Sequence, residues 1–262
     1  MSHLPKPSSS REPLNRVPEV TAYFWMLKAL STAMGEATSD FLVARLGAAP
    51  AVLLGFVAFV VALARQLHQR RYKPWSYWTC VCMIGVFGTM CADVMHVGLH
   101  VPYDVSTTFY AVVLAGVFIT WQWSEKTLSV HSITTARREL FYWAAVVATF
   151  ALGTAAGDFT AQTLHFGYID SVVLFAALIL APAAGYRLFK WNPIMSFWIA
   201  YVITRPLGAS VADSLGKPKI TGGVGLGDGG VALVATAIIA VLVANLAWRR
   251  STRAARLAPD TP

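Results

Sequence analysis

Long apolar runs separated by short polar connections dominate the chain. Residues 46–64 carry no charge in 19 positions, 105–124 none in 20, 171–186 none in 16, and 229–248 none in 20. As a helix, each run crosses or nearly crosses the ~30 Å hydrocarbon layer of a bilayer. Four further segments lie between them, at about 19–44, 74–101, 140–166 and 193–215, apolar except for isolated charges. The alternation predicts eight helical spans, flanked by a disordered tail over 1–18 and a polar tail over 251–262.

Composition narrows the class. Hydrophobic residues make up 56% of the chain and charged residues 13%, against about 25% charge in a soluble domain; the mean hydropathy is +0.55. The fold class is an all-α integral membrane protein. The net charge of +8 does not indicate nucleic acid, because only Lys28 and Arg205 lie within apolar segments. With eight spans, the remaining Lys and Arg divide sixteen to three between the two faces. The positive-inside rule then places both termini in the cytoplasm. Cys80, Cys82 and Cys91 fall in one apolar segment and read as packing residues. The first apolar segment carries Lys28 and Glu36 and offers no A-x-A-like cleavage site, so no signal peptide is expected.

An internal repeat organises the chain. Aromatic–Trp pairs occur at Phe24-Trp25, Tyr77-Trp78, Tyr142-Trp143 and Phe197-Trp198. Ten residues after each Trp comes Gly35, Gly88, Gly153 or Gly208, and five residues later Asp40, Asp93, Asp158 or Asp213. The pattern [FY]-W-x9-G-x4-D thus appears four times without a gap. Each unit pairs a Trp/Asp helix with a plain apolar helix, giving repeats over 19–73, 74–139, 140–192 and 193–250. Two spans per unit give every unit the same orientation, so equivalent helices can meet around one axis along the membrane normal. Trp25, Trp78, Trp143 and Trp198 are expected as anchors at the membrane interface, and the glycines as sites of close helix packing. This repeat resembles the bacterial DUF347 repeat family, described as four tandem two-span repeats with a characteristic Trp. The resemblance covers about 20–248 and implies that architecture, in the bacterial inner membrane, but no function.

The chemistry must come from the buried charges. An ionisable group at mid-membrane costs about 2.5–3.5 kcal/mol on insertion scales. The spans hold five acids, Glu36, Asp40, Asp93, Asp158 and Asp213, against two bases, Lys28 and Arg205. At least three acids therefore need a cation or protons. Lys28 is expected to pair with Glu36 or Asp40, and Arg205 with an acid of another repeat. Asp93 and Asp158, in the repeats without a base, are the expected ion ligands, helped by Thr89 and Thr154. Glu36, Asp40 and Asp213 belong to the same expected metal-binding cluster, with Asp40 and Asp213 expected to gate or couple. His100 and His165 follow their Asp by seven residues, on one face if the helix continues, and are expected as ligands at the outer mouth. His96 shares the Asp93 face. Oxygen and imidazole ligands together suit a Mn²⁺-like divalent metal.

The expected function is a secondary transporter of a small cation through a central Asp cluster, coupled to protons by antiport. A membrane accessory protein whose charges only specify packing is the alternative, and a membrane-embedded metal-dependent enzyme a weaker one. No nucleophile–base set is present, so no enzyme is expected, no cofactor other than the transported metal, and no partner beyond lipid and cation. The oligomeric state stays open. Gly225 to Gly230 match G-x-G-x-x-G, but no strand pattern precedes them and an apolar span follows, so they read as a loop.

Overall fold

The computed structural model describes residues 15–257. Eight long helices follow in order: α1 (Ala22–Leu46), α2 (Ala48–Leu67), α3 (Pro74–Asp93), α4 (Tyr103–Glu125), α5 (Ala136–Asp158), α6 (Gly167–Leu188), α7 (Pro193–Gly216) and α8 (Asp228–Leu257). No strand occurs among the described residues. Helix starts carry local signals. The Thr21 and Thr135 hydroxyls accept from Phe24 N and Arg138 N, and the Asn192 side chain accepts from Ile194 N and Met195 N, satisfying amides that the first turn leaves free. Pro74 and Pro193 open α3 and α7, where a missing N–H costs nothing.

Among the described residues seven helices are long and apolar enough to cross a membrane, which marks a membrane protein. The exception is α1, whose 25 residues include Lys28, Glu36, Asp40 and Arg45. Those charges dilute its hydropathy although its length suffices.

The odd-numbered helices form a closed inner ring, α1 against α3, α3 against α5, α5 against α7, and α7 back against α1. The even-numbered helices lie outside. Each packs on the inner helix of the next repeat: α2 on α3, α4 on α5, α6 on α7, and α8 on α1. This cyclic order links the repeats, because no unit buries its polar helix alone. Burial follows the same division: the most apolar stretches of α3 and α5 are 61% and 67% buried, those of α2, α4 and α6 only 17%. An outer helix that is apolar on every face loses nothing by meeting lipid.

Two interlocking layers fix the ring. The aromatic residue before each Trp packs on the Trp of the next repeat: Phe24 on Trp78 (5.8 Å between ring centroids), Tyr77 on Trp143 (5.4 Å), Tyr142 on Trp198 (6.1 Å) and Phe197 on Trp25 (5.6 Å). This collar joins the N-terminal ends of all four inner helices, which therefore run parallel. The anchor expectation is corrected for three of the tryptophans. Trp78 and Trp143 are 1% exposed and Trp198 5%, and their indole N–H groups donate inside the protein to Tyr72 Oη, Glu139 Oε1 and the Leu128 carbonyl. A ring closed by aromatic pairs has no surface at which to leave them; Trp25 is half-buried.

The motif glycines form the second layer. A Cβ on Gly35 would lie 2.6 Å from Gly85 C, and one on Gly88 2.7 Å from Phe150 Cβ. On Gly153 it would lie 2.5 Å from Arg205 Cβ, and on Gly208 2.6 Å from Thr32 Cβ. Each glycine thus admits the residue that stands seven positions after the next repeat's Trp. Close backbone approach, rather than chain flexibility, requires glycine at these four places.

At the ends, residues 15–18 of the expected N-terminal tail are pinned. Tyr72 N donates to the Asn15 carbonyl and Arg16 N to the Ile133 carbonyl, and Arg16 forms a 2.6 Å ion pair with the buried Glu139. Residues 251–257 of the expected C-terminal tail continue α8. The remainder of both tails, 1–14 and 258–262, lies outside the described residues.

Candidate cation site

Eleven residues after each Trp the four inner helices carry Glu36, Thr89, Thr154 and Ala209. The first three side chains converge on the ring centre. Where α7 offers only Ala209, Arg205 reaches in from the preceding turn. Its guanidinium donates to Glu36 Oε2 (2.7 Å), to Thr154 Oγ1 (2.6 Å), to Thr89 Oγ1 and to the Thr32 carbonyl (3.3 Å). The two threonine hydroxyls lie 3.1 and 3.3 Å from the same Glu36 oxygen. Arg205 is wholly buried, so this is a desolvated ion pair whose partners come from all four repeats. The expected cross-repeat partner of Arg205 is Glu36. Thr89 and Thr154 spend their hydroxyls here, on Arg205 and Glu36.

Lys28 corrects its expectation. It is 1% exposed, and its ammonium meets neither Glu36 nor Asp40. Nζ lies 4.0 Å from the Phe150 ring centroid and 4.3 Å from that of Tyr201, with no hydrogen-bond partner among the described residues. Eight residues of helix, about 12 Å of rise, separate it from Glu36, and the aromatic faces are nearer. Cation–π attraction replaces the ion pair. Below it, the buried Tyr77 and Tyr142 hydroxyls bond each other within the collar, which closes the ring at its Trp end.

The acids lie at the opposite end. Glu36, Asp40 and Asp213 bring one carboxylate oxygen each within 4.8 Å of the others. Asp93 and Asp158, the expected ligands, fall outside this trio. The trio draws on α1 and α7, neighbours in the ring, and includes the two aspartates of the predicted metal cluster that are expected to gate or couple. Asp213 is 6% exposed; Asp40, Asp93 and Asp158 are half-buried, so the cluster opens toward the non-Trp end.

The His100 and His165 expectation is also corrected. Directly after Asp93 and Asp158 the chain widens into single π-helical turns, Val94–Gly98 and Phe159–Thr163. It then leaves the helix, with His100 and His165 at φ 56° and 57°. The shared face needed an uninterrupted α-helix. Both histidines are exposed and neither belongs to the carboxylate trio. His96 is buried, lies 3.2 Å from the Val101 carbonyl, and packs 4.0 Å from the Tyr103 ring, where it fixes the π turn to the start of α4.

Two site residues escaped sequence reasoning. Lys217, one residue beyond α7, reaches Asp40 at 2.5 Å, Asp228 at 3.6 Å and Asp213 at 3.8 Å. Burial pulls this ammonium down, but the three carboxylates outweigh it and hold it above the ordinary lysine range. Asp228 arrives with the G-x-G-x-x-G segment. That segment is a loop, preceded by no strand among the described residues, and it folds back on α7 through Val224 N to the Ser214 carbonyl and Leu226 N to the Leu215 carbonyl. The available signal was the spacing of Asp213 and Lys217, four residues apart with the acid first, a favourable helical pair.

A separate apolar groove of about 990 Å³ lies near the Trp end between α1, α6 and α7. No acid lines it, so it offers nothing to a cation.

The family described as a repeat of unknown function (DUF347) matches the chain four times, over residues 23–72, 76–127, 141–190 and 196–252. No curated protein and no solved structure matches it.

Proposed function

The chain belongs to the DUF347 repeat family, which is defined by a repeat and by no activity, and on that premise we propose from the site alone that it is a secondary transporter of a small cation. The cation is a divalent metal of the Mn²⁺ kind. The observation that carries the reading is the convergence of Glu36, Asp40 and Asp213 within 4.8 Å, at the mouth of a ring that aromatic residues close at the other end. Clustered carboxylates of this kind are stable when a cation or protons share the site. Hard oxygen ligands suit Mg²⁺ or Mn²⁺. No imidazole joins the trio, so the case for Mn²⁺ over Mg²⁺ rests on the bound ion's identity in the flux assay.

In this reading all eight helices span the membrane. α1 does so because its charges turn into the ring, apart from Arg45 at its end. Both termini and the Trp collar face the cytoplasm, since sixteen of the nineteen Lys and Arg outside the spans fall on that side, and the membrane is the bacterial inner membrane. The structure is then outward-open. A cation enters the acid cage from outside, and Arg205 and the collar bar further passage until the ring rearranges. Protons compete for the same carboxylates, so exchange of metal for protons follows as antiport.

The accessory reading has one observation in its favour: the Arg205 terminal nitrogens are bonded to groups from the other three repeats, as in a purely structural centre. It leaves the second acid layer without a purpose. Flux of Mn²⁺ in proteoliposomes carrying an imposed pH gradient separates the two readings.

A further inference from the structure

The outer acid cage already holds a cation, the ammonium of Lys217, and we infer that this side chain is a tethered stand-in that the transported cation displaces. The inference rests on the transport reading and concerns the regulation of that same site.

The cage is built from three elements: Asp40 of α1, Asp213 of α7 and Asp228 of α8. An ammonium has three donors and no acceptor, and three carboxylates surround this one. Only the Asp40 contact is a hydrogen bond, at 2.5 Å; the others are ionic, at 3.6 and 3.8 Å. Asp213, more than nine-tenths buried, receives no hydrogen bond at its carboxylate from the described residues and faces Glu36 and Asp40 within 4.8 Å. One positive charge therefore stands against three negative ones, in a place where Asp213 still lacks a close ligand. A divalent ion there supplies the second charge and engages Glu36, which Lys217 does not touch.

The tether permits departure. Lys217 follows the last residue of α7 in an extended conformation (φ −66°, ψ 152°), and its side chain is 25% exposed, so the ammonium can turn to water without crossing the core. Gly222, Gly225 and Gly227 beyond it adopt φ 91°, 86° and 80°, a region open chiefly to glycine. The loop they shape joins the C-terminus of α7 to Asp228. Displacement of Lys217 thus removes the ion pairs that tie the end of α7 to Asp40 of α1 and Asp228 of α8, and cation entry is coupled to the packing of these helices at the mouth.

The test compares Mn²⁺ binding by calorimetry to the purified full-length protein and to Lys217→Met, which keeps bulk and removes the charge. Competition by a resident group weakens apparent affinity by the fraction of time the cage is free. If Lys217 holds the cage about nine-tenths of the time, Lys217→Met binds Mn²⁺ about tenfold more tightly. Lys217→Gln, which also removes the charge but keeps a side chain able to donate to Asp40, shifts affinity the same way and serves if Lys217→Met does not fold. A merely structural salt bridge predicts the opposite sign, since its loss disorders the cage. Equal or weaker Mn²⁺ binding in a folded variant, with wild-type binding intact, overturns the inference and leaves the transport reading standing. Absence of Mn²⁺ binding in wild type and variants alike overturns both.

Discussion

Removing the Arg205 guanidinium is the sharpest perturbation of the ring. In Arg205→Met, Glu36 keeps only the Thr89 and Thr154 hydroxyls, at 3.1 and 3.3 Å, and loses the charge at 2.7 Å. Breaking one side of a buried ion pair costs about 3–5 kcal/mol, because the survivor is left charged or must be neutralised. Protonation of Glu36 relieves part of this, so the lower end, about 3 kcal/mol, is expected. Glu36→Gln leaves the opposite orphan, a wholly buried guanidinium with neutral acceptors, and should cost a similar amount. The double variant Arg205→Met/Glu36→Gln removes both charges and should lose at least about 2 kcal/mol less than the sum of the singles, a coupling within the range of contacting pairs. The assay is a double-mutant cycle by graded denaturation of purified protein in mixed micelles. Additivity within about 0.5 kcal/mol would refute the view that these two charges hold the centre together.

Other outcomes follow from the same geometry. Gly153→Ala, whose Cβ meets Arg205 and Pro206, should destabilise by about 1–3 kcal/mol through overpacking, whereas Gly116→Ala, with nothing within 4 Å, should be neutral or stabilising by up to about 1 kcal/mol; micellar denaturation compares them directly. Lys28→Met removes a buried ammonium without a hydrogen-bond partner among the described residues and should cost less than Arg205→Met in that assay; an equal loss would point to a charge partner. Burial pushes the loop residue Tyr72 up to about 12, from about 10 in an unfolded chain. Its neutral phenol therefore contributes stability below pH 10 that is lost as pH climbs toward 12, and Tyr72→Phe should flatten that alkaline loss in a pH series of unfolding curves.

The architecture was legible because a period appears directly in sequence. Four copies of [FY]-W-x9-G-x4-D predicted parallel units with the charged helices inside, and polar groups in apolar helices have nowhere else to go. The packing order was not legible. That each outer helix lies on the next repeat's inner helix, and that each aromatic–Trp pair spans two repeats, are relations between units, which one unit's pattern does not encode. Trp78, Trp143 and Trp198 were misplaced for that reason: a terminal Trp on a membrane helix reads as an anchor until its neighbour across the ring is known. The site was half legible. The acids and Arg205 were found, but aligning the aspartates made them look equivalent. The symmetry breaks in the structure, because Glu36 and Arg205 have no counterparts, the helices holding Asp93 and Asp158 widen into π turns, and Lys217 enters from a loop.

The central claim, that the acid cage moves a cation, is tested most directly by Mn²⁺ uptake into proteoliposomes containing the full-length protein under an imposed pH gradient. Wild type should carry Mn²⁺ at a rate that follows the gradient, and Asp213→Asn, which keeps shape and removes charge, should abolish uptake while the protein still inserts and elutes as wild type. Undiminished Mn²⁺ flux in Asp213→Asn and in Asp40→Asn would contradict the site, and absence of flux in wild type for Mn²⁺ and every other divalent ion offered would contradict transport itself.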